Sequence, residues 1–326
     1  MQTKPIKQFA AGDRVVGFFI IRKKALRTKK VDGSPYLALE FGDASGRIPG
    51  AIWDGVSEQD RLLSVGDIVK IQGTVFQYRD ALSLHIDKIR KARPEDAVSF
   101  RMFLPGHNRD LSEWEDKFRW LLDSVEDSFL GELLRTVFSS PFWDEFRQAP
   151  GGKLWHHNRV GGLLEHTIGV AEICLKAAQQ YPAVSRDLLL TGALLHDIGK
   201  VDTYRTDRGF IEYTDRGRLL GHIVMGYNRV EKILSEMDDF PEELGKKVLH
   251  LILSHQGELE KGSPVVPMTL EAILLYHADE MDSKADAFLR IMKGEKETGK
   301  KWSQFVNLLN RFLYFGESEE TENTTH

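Results

Sequence analysis

The sequence predicts a multidomain α+β chain, with a small N-terminal β-barrel followed by an all-α domain. Three observations predict it. Short β-rich runs separated by turn residues fill residues 13–90. Beyond Arg93-Pro94 the apolar period lengthens to that of helices. Eight of the eleven histidines fall between residues 156 and 277, in apolar helical surroundings. A chain of 326 residues has room for two or three compact domains.

Composition excludes several classes. A lone cysteine, Cys174, can form neither an internal disulfide nor a Cys-rich zinc site, and it suits a reducing compartment. No stretch approaches 18 apolar residues, so no membrane span is expected. The N-terminal MQTKPIKQFAAGDR lacks an apolar core, so no secretory signal and a cytoplasmic location are expected. No phosphate-binding loop of the ATP-driven kind is present. The net charge of -5 is unevenly spread: residues 1–100 carry 17 basic and 12 acidic side chains, leaving the remainder strongly acidic. That asymmetry hints at separate tasks.

Five strands are expected at Val15–Ile21, Tyr36–Phe41, Ile48–Trp53, Ile68–Val75 and Leu82–Ile89. Asp32-Gly33-Ser34-Pro35, Asp43-Ala44-Ser45-Gly46 and Val65-Gly66-Asp67 supply turn chemistry between them. The runs YLALEFGDASGRIPGAIWD and VGDIVKIQGTVFQYRDALSLHIDKI resemble an OB-fold nucleic-acid-binding domain over roughly residues 10–92. Such barrels stack the bases of single strands on aromatics within a basic groove. The segment offers Phe18, Tyr36, Phe41, Trp53, Phe76 and Tyr78, each of which could instead fill the barrel. Arg22 to Lys30 holds six basic residues in nine, expected on the loop between the first two strands. From these the candidate strand-binding residues are Lys23, Lys24, Arg27, Lys29, Lys30, Tyr36, Tyr78 and Arg79.

Next comes a helical connector. Ser112 with Glu115 fits a capping box, and Trp114, Phe118, Leu121 and Val125 follow at helical spacing. A second helix is expected from Ser128 to Phe138, and a third opening at Ser140-Pro141. Their aromatic stripes read as packing surface.

In the histidine-rich segment, GGLLEHT opens a helix carrying His166. An apolar helix, Leu188–Leu195, ends on His196-Asp197, with Gly199 as its expected terminator. Asp279 lies in a further apolar helix, Leu270–Met281. Imidazole and carboxylate together suit Mn, Fe, Co, Ni or Zn. His166, His196, Asp197 and Asp279 are expected to form one cation site, and Asp197, His222 and His255 a second. Two ions about 3.5–4 Å apart can activate water and stabilise both the attacking and the leaving oxygen of a phosphate ester. His250 and His277 read as structural. Lys200 can face a phosphate oxygen, or cap a helix end through the macrodipole. Lys153, His156 and His157 can supply charge, or a proton to the leaving oxygen.

GGLLEHT, LLHDIGK, GHI, SHQGE and YHADEMD are similar to the HD-domain metal-dependent phosphohydrolase superfamily. With a barrel in front, the layout over about residues 10–315 is similar to the YhaM-type 3'-5' exoribonucleases. The resemblance implies phosphodiester hydrolysis with a divalent metal, usually manganese, and one or two ions. It implies that His166, His196, Asp197 and Asp279 are ligands, with His222 and His255 in the second site or at the scissile phosphate. The expected domains are 1–96, the barrel; 97–150, the connector; 151–315, the hydrolase; and 316–326, an acidic tail. The expected partner is single-stranded RNA, with single-stranded DNA also allowed. Exposed helical faces permit a homo-oligomer without requiring one. Two other functions remain open: a nucleotide or cyclic-dinucleotide phosphohydrolase, and a non-catalytic single-strand binder.

Overall fold

A computed structural model describes residues 4–78, 81–153, 157–296, 301–307 and 309–316. Arg79 and His156 lie outside the described residues, as does the expected acidic tail beyond Gly316.

The N-terminal strands are β1 (Arg14–Thr28), β2 (Pro35–Gly42), β3 (Arg47–Ile52), β4 (Ile68–Tyr78) and β5 (Ala81–Lys91), with a short helix α1 (Val56–Leu62) after β3. They close into a barrel in the order β1-β2-β3-β5-β4. All neighbours run antiparallel except β3 and β5, which pair in parallel through Gly50 and Ala51. Alternation fills the interior: Val15, Phe19 and Ile21 of β1 point inward with Leu37, Phe41, Ile48, Val69, Ile71 and Leu84. Removing such a ring, as in Phe19→Ala, costs about 3–5 kcal/mol. Ile20 points the other way and is covered by Phe103 and Phe210. The compact unit therefore comprises Met1–Asp110 together with a returning segment, Arg205–Glu212.

One expectation is corrected here. The basic run is not a loop. Strand β1 continues through Thr28, pairing its first half with β4 and its second half with β2, with a bulge between Ile21 and Lys23. Residues 22–28 are polar or exposed, so no apolar alternation marks them as strand. Their backbone pairing to β2 does.

The second unit spans Leu111–Tyr204 and Tyr213–His326. Its helices are α2 (Ser112–Asp123), α3 (Ser128–Val137), α4 (Phe142–Phe146), α5 (Gly162–Gln180), α6 (Arg186–Leu195), α7 (Lys200–Thr203), α8 (Asp215–Glu236), α9 (Glu242–Ser254) and α10 (Leu270–Lys296). Helix α5 is central and packs on α2, α6 and α10. The expected cap at Ser112 is displaced by one residue: Leu111 holds the N-cap position without a side-chain cap, and Glu115 bonds Arg147 at 2.9 Å instead. At α3 the cap is Asp127, which accepts from the Leu130 N–H. The aromatic stripes pack on each other, with the Phe118 ring 4.8 Å from that of Phe138 and 5.1 Å from that of Trp143.

Candidate metal centre

Helix α6 is buried along one continuous run from Leu188 to Leu195, so its end delivers His196 and Asp197 into the interior. His166 stands one turn into α5, wholly buried. His255 caps the end of α9, and Asp279 lies within α10. His222 arrives differently. The residue before it, Gly221, breaks α8 at φ 75°, ψ 155°, a region essentially restricted to glycine. Opposite, a Cβ on Gly199 would collide with the His222 carbonyl. Gly199 is itself right-handed helical, so its task is close approach and not the helix stop expected from sequence.

These elements bring all six expected ligands together. His166 Nε2 lies 3.2 Å from His196 Nε2, 3.2 Å from Asp279 Oδ1 and 3.4 Å from Asp197 Oδ2. His196 Nε2 is also 3.4 Å from that Asp197 oxygen. The other oxygen, Oδ1, faces His222 Nε2 at 3.3 Å and His255 Nε2 at 3.6 Å. Asp197 thus stands between two imidazole pairs.

The far nitrogens fix the tautomers. His196 Nδ1 donates to the Ala193 carbonyl at 2.8 Å, and His255 Nδ1 to the Ile252 carbonyl at 2.7 Å. A carbonyl can only accept, so Nδ1 carries the proton and the Nε2 lone pair faces inward. His166 Nδ1 donates to Asp282 Oδ2 at 2.7 Å. A second-sphere carboxylate behind a histidine is the usual support of a metal ligand.

The residues fit a cation. Among the described residues, both oxygens of Asp197 and the Nε2 atoms of His222 and His255 are buried without a partner in hydrogen-bond geometry. Each such atom costs about 1–3 kcal/mol if left unmatched. Lys200 already offsets Asp197 Oδ2; the convergence of Asp197 Oδ1 with the two Nε2 atoms is what a metal would relieve, and the nitrogen and oxygen set suits Mn, Fe, Co, Ni or Zn.

Electrostatics agree. Burial opposes charge on His166, yet Asp197, Asp279 and Asp282 together hold its pKa well above the usual imidazole value. Burial likewise pushes Asp197 up, but Lys200, His196 and His166 outweigh it and hold the carboxyl well below its ordinary range. Asp279 is lowered against burial by His166 and His196. Burial depresses His222 to about 3, with Asp197 offsetting only part. His222 is therefore neutral at physiological pH, with its lone pair available. His166 would have to release a proton as a cation arrives.

The remaining candidates fall around this cluster. Lys200 is buried, not a solvated helix end, and its Nζ lies 2.5 Å from Asp197 Oδ2. His157 sits outside the ligands, its Nε2 2.9 Å from Asp282 Oδ2. Lys153 lies with its Nζ 5.7 Å from the Tyr213 ring centroid. His250 accepts from the Met268 N–H at 2.9 Å, and the His277 ring lies 4.7 Å from that of Tyr276. Asp282 was missed by sequence reasoning. Its signal was present: it stands three residues after Asp279, on the same helix face. A cavity of about 430 Å³ opens onto Lys200, His255 and Asp279.

In the barrel the basic residues separate into two groups. Lys23 pairs with Glu40 at 2.9 Å, and Lys24 with Asp60 at 2.9 Å and the Leu63 carbonyl at 2.7 Å. These two brace the fold. Arg27 is exposed beside Tyr36 across the β1–β2 ladder, and Lys30 is exposed. Tyr36 stacks on Trp53 at 4.7 Å, and Lys29 Nζ lies 5.2 Å from the Trp53 ring centroid. Trp53, 42% exposed and stacked on Tyr36, is a surface aromatic that the candidate set omitted. A groove of about 890 Å³ beside it is lined by Lys70, Lys88 and Arg90 as well as Asp54 and Asp87. Tyr78 is exposed on the separate β4–β5 hairpin.

Comparison with known proteins matches residues 163–284 to the HD domain family and residues 20–92 to the OB-fold nucleic acid binding domain family. A protein of Listeria innocua named 3'-5' exoribonuclease YhaM is 31% identical over 312 residues, covering 95% of this chain and 98% of its own. One of the same name from Oceanobacillus iheyensis is 31% identical over 313 residues, covering 95% and 96%.

Proposed function

Because the chain belongs to the 3'-5' exoribonuclease YhaM family, we propose that it shortens single-stranded RNA from its 3' end, releasing nucleoside 5'-monophosphates. It is a metal-dependent hydrolase with an OB-fold module for single-stranded nucleic acid. The observation that carries the reading is Asp197, a buried carboxylate whose two oxygens each face a separate pair of histidines.

His166, His196, Asp197 and Asp279 would hold one ion, and Asp197, His222 and His255 a second; manganese is the metal we favour. Bound cations supply positive charge that activates water and stabilises the phosphoryl oxygens. The chain's own groups do the rest. Asp282 and the Ala193 and Ile252 carbonyls lock three imidazoles with Nε2 inward. Lys200, fixed beside Asp197 and lining the cavity, offers charge to a phosphoryl oxygen. Water adds its oxygen to phosphorus, the bond to the preceding 3' oxygen breaks, and that oxygen takes up a proton. In the barrel, the Tyr36–Trp53 stack with Lys29 and Arg27 holds unpaired bases and phosphates. RNA is preferred over DNA in this reading.

The test incubates end-labelled RNA and DNA oligonucleotides, and a panel of free nucleotides and cyclic dinucleotides, with protein that has been chelated and then resupplied with Mn²⁺. Stepwise loss of 3' nucleotides from RNA, restored by Mn²⁺, is expected. Turnover of the free nucleotides with RNA left intact would replace this function with that of a nucleotide phosphohydrolase.

A further inference from the structure

The cavity at the cation ligands has a second end that the reaction scheme does not use. Beyond Lys200, His255 and Asp279 its walls include Tyr276, Ala287 and Leu309 together with polar side chains, Lys261, Glu280 and Lys284 among them. Phosphate-binding chemistry thus passes directly into a compartment of mixed character with Tyr276 as its aromatic wall. At about 430 Å³ it has room for one small molecule and not for a stretch of stacked residues.

The Tyr276 ring is held rigidly. Its hydroxyl donates to Glu258 Oε1 at 2.9 Å and receives Lys261 Nζ at 3.2 Å. Lys261 is anchored in turn by Glu258 at 2.8 Å and Glu280 at 2.9 Å. The ring lies so close to Gly257 that a Cβ there would overlap it, and Gly257 also sits at φ 77°. The two segments that bring ligands therefore also build this wall: SHQGE carries His255, Gly257 and Glu258, and YHADE carries Tyr276, Asp279 and Glu280.

The geometry points to this compartment as the seat of the terminal nucleoside, with Tyr276 as the surface that receives its base. The inference rests on the proposed exonuclease reading and adds to it the residue that grips the nucleotide being removed. A fixed aromatic face suits any base, since each has a π-face, and so gives grip without sequence preference. Pinning the ring beforehand lowers the ordering cost of binding.

The experiment measures calorimetric binding of adenosine 5'-monophosphate and of ribose 5-phosphate to the Mn²⁺-loaded full chain, for wild type, Tyr276→Leu and Tyr276→Phe. Wild type should favour the nucleotide by about tenfold, the scale of one base stacked on an aromatic. Tyr276→Leu should lose that preference while its affinity for ribose 5-phosphate holds, and Tyr276→Phe should keep it. The same preference in Tyr276→Leu as in wild type, or none in wild type, would overturn the assignment. Oligonucleotide cleavage, run in parallel, judges the exonuclease reading separately. RNA left intact by a chain that still shows Tyr276-dependent nucleotide preference sinks that reading and leaves the nucleotide pocket standing.

Discussion

In the barrel, Lys23 meets Glu40, Lys91 meets Asp67 and Arg90 meets Asp96, all at positions open to solvent on at least one side. In the helical unit His166, His196, Asp197 and His255 meet with almost no exposure at all. These barrel side chains are matched to each other. Those of the helical centre are left partly unmatched, at a cost that folding must carry until something binds. In the proposed function the first is a surface that grips and the second an interior that reacts, and the difference can be tested at both ends.

The largest effect is expected at Asp197. Asp197→Ala removes the one side chain shared by both imidazole pairs, and hydrolysis should fall on the order of 10³-fold or more, the scale of losing a buried electrostatic stabiliser. RNA binding, read by fluorescence anisotropy, should stay within about twofold. Cleavage at the wild-type rate in this variant would remove the centre from the mechanism.

Trp53→Ala is the converse change. Loss of one stacking platform should weaken single-strand binding by about 1–3 kcal/mol, while hydrolysis of a small phosphodiester ester lacking a base stays the same. If small-ester hydrolysis drops in step with binding, the division of labour is wrong.

Asp282→Asn sharpens the helical side. The amide still accepts from His166 Nδ1 but no longer carries charge behind it, so Mn²⁺ affinity in equilibrium dialysis should fall about 10–100-fold. An unchanged dissociation constant would make Asp282 a packing residue only.

The smallest effect is in the barrel. Bonds from the Arg90 guanidinium and the Arg93 N–H hold Asp96 well below the usual carboxylate range. A depressed folded pKa means stability that is present above the unfolded value of about 3.9 and lost as pH falls below it toward the folded value. Arg90→Ala should therefore lower the barrel's melting temperature slightly at pH 7, and the gap to wild type should close progressively below about pH 4. A gap that stays constant with pH would assign the loss to packing.

The closed barrel was legible because most of its strands alternate, and because turn residues separate them. The second half of β1 was not, since Arg22–Thr28 shows no apolar face and owes its strand to backbone pairing with β2. Helix α1 escaped for a related reason: its seven residues are mostly polar and too few to show a period. Segment Arg205–Glu212 could not be assigned to the barrel unit from sequence, because Phe210 packs on Ile20 nearly two hundred positions away. In the helical unit His166, His196, Asp197 and Asp279 stood out as imidazole and carboxylate on otherwise apolar helices, while His222 and His255 were weaker signals because each could equally be a hydrogen-bonded core or surface residue. Asp282 did not, because the acids near it are numerous and its meaning depends on which nitrogen of His166 it faces. Trp53 was visible as an aromatic, but only its stacking on Tyr36 distinguishes it from a barrel-filling side chain.

The long first strand also restricts how this protein can be altered. A basic patch carried on a loop can be trimmed, extended or exchanged with little harm to its host. Here Arg27 and its neighbours ride on a strand whose far half closes the ring against β4, so a single-residue insertion or deletion upstream of Arg27 would turn every inward side chain of that half outward or slip it against β2. Retuning affinity on this face has to proceed by exchanging side chains one for one, with chain length left alone.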